Sequence, residues 1–284
     1  MKGPLDDSGF GVVHAGPTAI NDLPELIRRR GEGRALVIID GWTAADAHRY
    51  VEAVIDNSRI PTQVVSASNT IATQRVRLEL AERLSTYAGG ALISVGSTEI
   101  IAAGKAVAAL ATNGPKLTNR GGSTLRVAPR THIAVPIGLG PAEERISVLT
   151  INDGSEQTVV DDRLLALAVI DERLFPHQDP NVDYYRNRAI ALAVCTVTDD
   201  AKPLRDQTLA LSAAHILVKS DLRPADVRLA LTYATASHPC YPLCARCKGG
   251  TIVTTAVSGR GQASPPQLCL QQALARGLFG AKNA

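Results

Sequence analysis

The first half of the chain alternates short apolar runs with amphipathic stretches. Residues 35–40 form a nearly continuous apolar run that ends at Asp40, which is typical of a strand covered on both faces. Residues 71–88 place apolar side chains at helical spacing between charges. The predicted strands of this half include residues 35–40, 61–66, 91–95, 132–136 and 165–170, and the predicted helices are residues 45–56, 71–88 and 99–110. This alternation predicts an α/β fold with a mainly parallel sheet.

The pattern changes after Asp171, where helical spacing continues without strand signals between the helices. Helices are predicted over residues 183–198, 204–219, 224–236 and 265–281. We therefore expect two domains, an α/β domain over residues 1–174 and a smaller all-helical domain over residues 175–284. A β-hairpin is also predicted from residues 147–151 and 157–160, because Asn152, Asp153 and Gly154 between them suit a tight turn.

Composition restricts the class of protein. With 284 residues, of which 45% are hydrophobic, the chain can bury a sizeable core, which excludes disorder. A formal net charge of only +3 predicts neither a nucleic-acid partner nor an anionic membrane partner. The sequence shows no signal peptide and no apolar run of transmembrane length, so we expect a cytoplasmic protein.

Three of the five cysteines lie close together near a histidine. His238, Cys240, Cys244 and Cys247 include a Cys-x-x-Cys pair, a spacing that zinc accepts. Two interpretations stay open for residues 238–247: a structural zinc site, or three unpaired thiols in a reducing compartment.

Histidines and one basic loop supply further polar candidates. His14 and His132 lie on predicted strands, where a hydrogen-bonded structural histidine is the expected role. His177 lies at the expected junction of the two domains, and we take it as the candidate catalytic residue. The loop with Lys116, Arg120, Arg126 and Arg130 is either a solvated surface or a contact for an anionic substrate.

Five segments together resemble the iron-containing alcohol dehydrogenases. These are FGVVHAGPTAINDLPEL from Phe10, the strand that ends in Asp40, ISVGSTEIIAAGKAVAALATN from Ile93, HIAVP from His132 and LLALAVIDERL from Leu164, which occur in the family's order over roughly residues 8–176. Maleylacetate reductases and dehydroquinate synthases share that fold. The resemblance implies a dehydroquinate synthase-like architecture, in which a Rossmann-like half precedes a helical half and the active site lies in the cleft between them.

The resemblance also implies a site for the dinucleotide cofactor. Family members hold its pyrophosphate on a glycine-rich turn at a helix N-terminus. The corresponding residues here are Gly96, Ser97, Thr98 and Glu99, so that only the first glycine remains and a carboxylate is added. The family's lysine is kept as Lys105.

Two further positions complete the implied cofactor site. Gly138 is retained in the loop after the strand that ends at Pro136. Asp40, at the end of its strand, can accept hydrogen bonds from the adenine ribose and repel a 2′-phosphate, which favours NAD over NADP. The alternative for Asp40 is that it caps the following turn.

The family's metal ligands are an Asp and three His of the helical half, beginning with Asp-x-x-x-His on one helix. The corresponding helix offers Asp183 with Asn187, or Tyr184 with Arg188, neither of which suits iron or zinc. We therefore expect no family-type iron or zinc and assign no metal ligands.

Two functions remain open at this stage. The first is an NAD-dependent oxidoreductase acting on a small carbonyl or alcohol, with a degenerate cofactor turn. The alternative is a non-redox enzyme, or a catalytically inactive binding or assembly protein, on the same fold. In either case we expect a small-molecule ligand in the interdomain cleft, and either a homodimer or a protein partner that completes the helical half.

Overall fold

The computed structural model describes residues 13–41, 45–67, 74–86, 90–118, 124–152, 156–197, 202–218 and 222–239. The strands in these ranges are β1 (Val13–Gly16), β2 (Arg34–Asp40), β3 (Thr62–Ala67), β4 (Gly90–Gly96), β5 (His132–Pro136), β6 (Val148–Asn152), β7 (Glu156–Val160) and β8 (Leu167–Asp171). The α-helices are α1 (Leu23–Arg29), α2 (Ala45–Asn57), α3 (Gln74–Thr86), α4 (Thr98–Asn113), α5 (Val182–Val197), α6 (Leu204–Leu217) and α7 (Pro224–Ala236). None of these helices is long and apolar enough to cross a membrane.

Contacts divide the chain into two compact units. The first consists of Met1–Gly138 and Ser147–Phe175, and the second of Leu139–Ile146 and Pro176–Ala284. The larger part of the second unit therefore starts at Pro176, next to the boundary expected from the sequence. It also includes the segment Leu139–Ile146, which lies within residues 1–174 of the first predicted domain.

A six-stranded sheet forms the centre of the first unit. Its strand order is β1-β8-β5-β4-β2-β3, and every neighbouring pair is parallel. All seven residues of β4 and six of the seven residues of β2 are buried, since helices cover both faces of the sheet. The prediction of an α/β fold with a Rossmann-like parallel sheet is confirmed.

The direction of each crossover decides which face its helix covers. The chain moves from β2 outward to β3, whereas it moves from β4 in the opposite direction to β5. Right-handed crossovers therefore place α2 and α4 on opposite faces. Consistently, α2 contacts α1, whereas α4 packs against α3.

Helix α4 lies unusually close to the sheet because of one glycine. A Cβ atom on Gly104 would lie 2.8 Å from the Nε2 atom of His132 and 2.8 Å from the Cβ atom of Ser94. Any side chain at this position would force the helix away from β4 and β5. Gly104 thus fixes the distance between α4 and a polar pair in the sheet.

The predicted hairpin is confirmed as the antiparallel pair β6 and β7. Its turn, residues 153–155, lies outside the described residues. In the second unit, α5, α6 and α7 pack against one another, as the helical spacing predicts. Small side chains fill much of their core: Ala189, Ala193, Ala210, Ala213, Ala214, Ala230 and Ala234. The predicted helix over residues 265–281 lies outside the described residues.

A buried ion pair fixes the segment Leu139–Ile146 to α7. The Arg228 guanidinium donates to Glu144 Oε2 at 2.7 Å, and both side chains are almost completely buried, at 1% and 0% exposure. The same guanidinium donates to the carbonyl oxygens of Gly140 and Pro141 at 2.6 and 3.0 Å. The Thr232 hydroxyl lies 3.1 Å from Glu144 Oε1. One arginine therefore binds two backbone carbonyls and the one buried carboxylate of this segment.

Removing one partner of this ion pair should destabilise the protein strongly. Arg228→Met leaves the Glu144 carboxylate buried without its counter-ion, so we expect the free energy of unfolding to fall by about 3–5 kcal/mol. The double variant Arg228→Met/Glu144→Leu should recover much of this loss because it buries no charge. Urea unfolding followed by circular dichroism measures both values.

The exposed ion pair between Arg75 and Glu79 provides the control, since the Arg75 side chain is 89% exposed. Arg75→Met should change the free energy of unfolding by less than about 1 kcal/mol. A similarly small loss for Arg228→Met would contradict the anchoring role.

Candidate functional site

The carboxyl ends of the six parallel strands lie at one edge of the sheet. The last residues of these strands, in sheet order, are Gly16, Asp171, Pro136, Gly96, Asp40 and Ala67. Within this row, β2 and β4 are the neighbours from which the chain departs in opposite directions. Such a point leaves a crevice outside the strand ends, where ligands of open α/β sheets bind. The crevice between Asp40 and Gly96 is therefore the candidate site.

Gly96 and Asp40 are in close contact in this crevice. Gly96 has a φ of 145°, and a Cβ atom there would lie 2.5 Å from the Cβ atom of Asp40. Both the backbone conformation and the lack of space require glycine at this position. The side chain of Asp40 thus lies directly beside the turn that leads into α4, as the assignment of both residues to one site requires.

The turn after β4 also lies next to the turn after β5. The Ile137 amide donates to the Gly96 carbonyl at 2.9 Å, which links the two turns. Gly138, with a φ of 76°, follows at once. The sheet topology therefore brings two predicted cofactor residues, Gly96 and Gly138, into adjacent turns.

Helix α4 begins at the crevice. Ser97 is its N-cap residue, but the Ser97 side chain makes no capping hydrogen bond to the helix. Ser97 and Thr98 are partly buried, whereas Glu99 is exposed. Because the first amides of a helix have no acceptor within the helix, they carry partial positive charge at this end. Solvent screens the Glu99 carboxylate, which reduces its repulsion of a nearby anion.

Lys105 lies away from this crevice. It is two turns further along α4, is 1% exposed, and lines a cavity near the amino ends of the strands. His177 is exposed in the segment before α5, and belongs to the second unit. The cofactor role of Lys105 and the catalytic role of His177 stay predictions.

The described residues do not fit a family-type metal. Among them, no three His, Cys, Asp or Glu side chains come together as a possible metal site. Asp183 and Asn187 both lie on α5, where an amide takes the place of the expected imidazole. His238 is described, whereas Cys240, Cys244 and Cys247 lie outside the described residues. The zinc interpretation of residues 238–247 stays a prediction.

Asp171 is a buried acid at the carboxyl edge that sequence reasoning did not identify. Its carboxylate, at 0% exposure, accepts hydrogen bonds from the Ile20 amide at 3.2 Å and the Arg173 amide at 3.0 Å. The Tyr50 hydroxyl lies 3.2 Å from the same carboxylate. Burial is the main cause that raises the pKa of Asp171 above its ordinary value. The acid that ends an apolar run, as in LAVID, is the signal that could have found it.

The same local arrangement occurs ten residues earlier. Asp161 accepts from the amide and Nε of Arg163, both at 2.9 Å, and from the remote Leu125 amide at 3.0 Å. The hydrogen bond from the Arg163 side chain is the main cause that lowers the pKa of Asp161. Both segments have the pattern Asp-acid-Arg-Leu, DDRL and DERL, and in both the aspartate caps a short 3-10 helix.

A second polar cluster lies at the opposite edge of the sheet, around the start of β5. The Ser94 hydroxyl lies 2.6 Å from His132 Nε2, and both side chains are buried. Burial, and secondarily the charge of Lys105, lower the pKa of His132 to about 3, so the ring is neutral at pH 7. The expectation that His132 is a hydrogen-bonded histidine of the sheet is confirmed. On β1, the Nε2 atom of His14 lies 2.8 Å from the Asp22 carboxylate.

The fold and the crevice together define a Rossmann-like α/β domain joined to a helical unit. A sequence model described as iron-containing alcohol dehydrogenase matches residues 11–172, more than half of the chain. The chain belongs to this family. Family membership supports an oxidoreductase-like function. A search of curated proteins found no match.

Solved structures of the same fold include three informative examples. The iron-containing alcohol dehydrogenase from Thermococcus thioreducens is 17% identical, with a TM-score of 0.62 over 96% of this chain and 75% of that protein. Maleylacetate reductase from Agrobacterium tumefaciens is 18% identical, with a TM-score of 0.61 over 94% of this chain and 80% of that one. NADH-dependent butanol dehydrogenase A from Thermotoga maritima is 18% identical, with a TM-score of 0.59 over 79% of this chain and 60% of that one. At these identities the similarity establishes the fold.

His132 should make stability depend on pH. Below pH 6.5 the unfolded chain protonates this histidine, whereas the folded protein does not until about pH 3. Stability therefore falls as the pH decreases through this range, by about 2 kcal/mol between pH 7 and pH 5 from this one group. In His132→Gln that part of the pH dependence should disappear, as measured by urea unfolding at both pH values.

His215, which is exposed on α6, supplies the control. His215→Gln should keep the pH dependence of the wild type. If His132→Gln keeps it as well, the folded protein protonates His132 near the ordinary pKa, and the assignment of a neutral buried ring is wrong.

Proposed function

We propose that this member of the family is an NAD-dependent oxidoreductase and that it acts on a small carbonyl or alcohol. The dinucleotide would bind in the crevice between Asp40 and Gly96. The observation that carries this proposal is the contact between these two residues at the point where the strand order reverses. The dinucleotide, when bound, would accept a hydride from the alcohol as NAD⁺ or supply a hydride to the carbonyl as NADH. The NADH-dependent enzyme from Thermotoga maritima, which has the same fold, is consistent with this cofactor.

Each residue of the crevice has a separate part in cofactor binding. The Asp40 carboxylate would accept hydrogen bonds from the adenine ribose and repel a 2′-phosphate. Gly96 leaves the backbone open to the pyrophosphate, and the first amides of α4 after Ser97 and Thr98 would donate to it. The turn that carries Gly138 would border the cofactor on the β5 side. Lys105 lies outside this group of contacts.

The residues at the positions of the family's first two metal ligands favour a second candidate function. Hydride transfer to or from an alcohol oxygen needs a group that stabilises the charge on that oxygen, and a divalent ion commonly supplies it. Asp183 and Asn187 on α5 are a poor donor pair for such an ion. A non-redox enzyme, or a binding or assembly protein that retains the nucleotide crevice, is therefore the alternative. For both functions we propose a small-molecule ligand between the two halves. We also propose, for both, either a homodimer or a protein partner that completes the helical half.

NADH titration tests the proposed cofactor site. The wild type should bind NADH, detected as a change in nicotinamide fluorescence, and should bind NADPH at least tenfold more weakly. In Asp40→Asn the carboxylate is lost, so NADH affinity should fall roughly tenfold or more, as expected for hydrogen bonds to a charged group. The ratio of NADH affinity to NADPH affinity should also decrease, because the repulsion between the Asp40 carboxylate and the 2′-phosphate is removed.

Asp56→Asn is the matched control, because it removes the same charge from an exposed position on α2. Its NADH affinity should remain within twofold of the wild type. Wild-type protein that binds neither dinucleotide would overturn the proposal. Metal analysis of the same preparation separates the two functions: a stoichiometric ion that chelators remove supports redox turnover, whereas NADH binding without such an ion supports the alternative.

A further inference from the structure

A cavity of about 330 Å³ lies within the first unit at the amino ends of β5 and β8. It is called the amino-end cavity below. Its lining includes the first residue of β5, His132, the first residue of β8, Leu167, and Lys105 from α4. β5 runs from this cavity at His132 to the crevice at Pro136, a distance of about 13 Å at the usual rise of a strand. The amino-end cavity is therefore separate from the proposed dinucleotide site.

The charged residues that line the cavity are predominantly basic. Arg30, Lys105, Arg130 and Arg163 are lining residues, and Asp162 is the carboxylate among them. Arg163 is already paired with Asp161 at 2.6 Å. The lining thus contains four basic residues and one acidic residue, a balance of charge that favours anions.

Two buried atoms of the lining residues have no hydrogen-bond partner among the described residues. These atoms are Nε of Arg130 and Nδ1 of His132. A buried donor without an acceptor is unfavourable, so a ligand that supplies acceptors there is favoured. Arg130 Nε carries a hydrogen and can only donate.

The contact with Ser94 allows His132 to donate as well. The Ser94 hydroxyl lies 2.6 Å from Nε2, and the ring is neutral because it is buried. When the hydroxyl donates to Nε2, the single ring hydrogen lies on Nδ1. Arg130 and His132, which are two residues apart at the start of β5, then offer two donors, and the Lys105 ammonium lies close enough to His132 to affect its charge.

We propose that the amino-end cavity binds the phosphate group of a small phosphomonoester, with Arg130, His132 and Lys105 as its donors. A phosphate carries several acceptor oxygens and about two negative charges, which suits three donors and an excess of positive charge. The volume of about 330 Å³ exceeds the need of an inorganic ion and falls within the range of small-molecule sites. Sequence analysis left an anionic ligand open for the loop that contains Arg130, and the cavity supplies the place for it.

Calorimetric titration of the complete chain with n-propyl phosphate and with inorganic phosphate, at constant ionic strength, tests the proposal. Both should bind at one site, and the ester should bind more tightly because its alkyl group fills the remaining space. Propanol serves as the blank. Failure of both phosphates to bind overturns the proposal, and binding of inorganic phosphate alone overturns the assignment of an ester.

Two variants identify the site. Arg130→Gln removes one donor and one charge, so the dissociation constant of n-propyl phosphate should rise at least tenfold. Arg49→Gln removes the same charge from α2, where the side chain is 75% exposed, and should leave that constant within twofold. Equal weakening in both variants would indicate a general charge effect and would overturn the assignment. Arg130→Lys, which keeps the charge but lacks Nε, should weaken binding by an intermediate amount, and a thermal melt of each variant verifies folding.

Discussion

Parallel strand direction is the constraint from which both candidate sites follow. When every strand runs the same way, all carboxyl ends lie at one edge of the sheet and all amino ends at the other. Asp40 and Gly96, which are far apart in sequence, become neighbours because their strands are parallel and adjacent in the sheet. At the opposite edge, the same rule brings the starts of β5 and β8 together. Helix α4 spans both edges, since it begins beside Gly96 and reaches Lys105 about 10 Å further along its axis.

Much of the sheet could be predicted because its strands are nearly continuous apolar runs. Such runs mark strands covered on both faces, and β5 was located at both of its ends. The resemblance to the family assigned Asp40 and Gly96 to one site, and each of them is the last residue of such a strand. Asp171 likewise ends the run LAVID, so attention to acids at strand ends would have identified it.

The amino-end cavity could not be predicted in this way. Its residues come from a helix end at Arg30, the middle of α4 at Lys105, a loop at Arg130 and a 3-10 turn at Asp162. No spacing rule connects these positions. The closeness of α4 to the sheet decides the arrangement, and it depends on Gly104, which in the sequence resembles any other small residue of an alanine-rich helix. The membership of Leu139–Ile146 in the second unit could not be predicted either, because its partner on α7 is remote in sequence.

The two aspartates of the DDRL and DERL segments show how far local sequence determines electrostatics. Each aspartate accepts similar hydrogen bonds from the arginine two residues later, but the pKa values of the two aspartates shift in opposite directions. The difference comes from the surroundings, since burial is the dominant effect for Asp171 and the Arg163 side chain for Asp161.

The buried pair of Glu144 and Arg228 also constrains how the sequence can change over evolutionary time. A charge at either position is tolerated only with the opposite charge at the other, so each single replacement passes through an unstable intermediate. These two positions, 84 residues apart, should therefore be inherited as a unit, changing together or not at all. In natural variants of this chain, the pair of residues at positions 144 and 228 would therefore indicate whether Leu139–Ile146 still belongs to the helical unit.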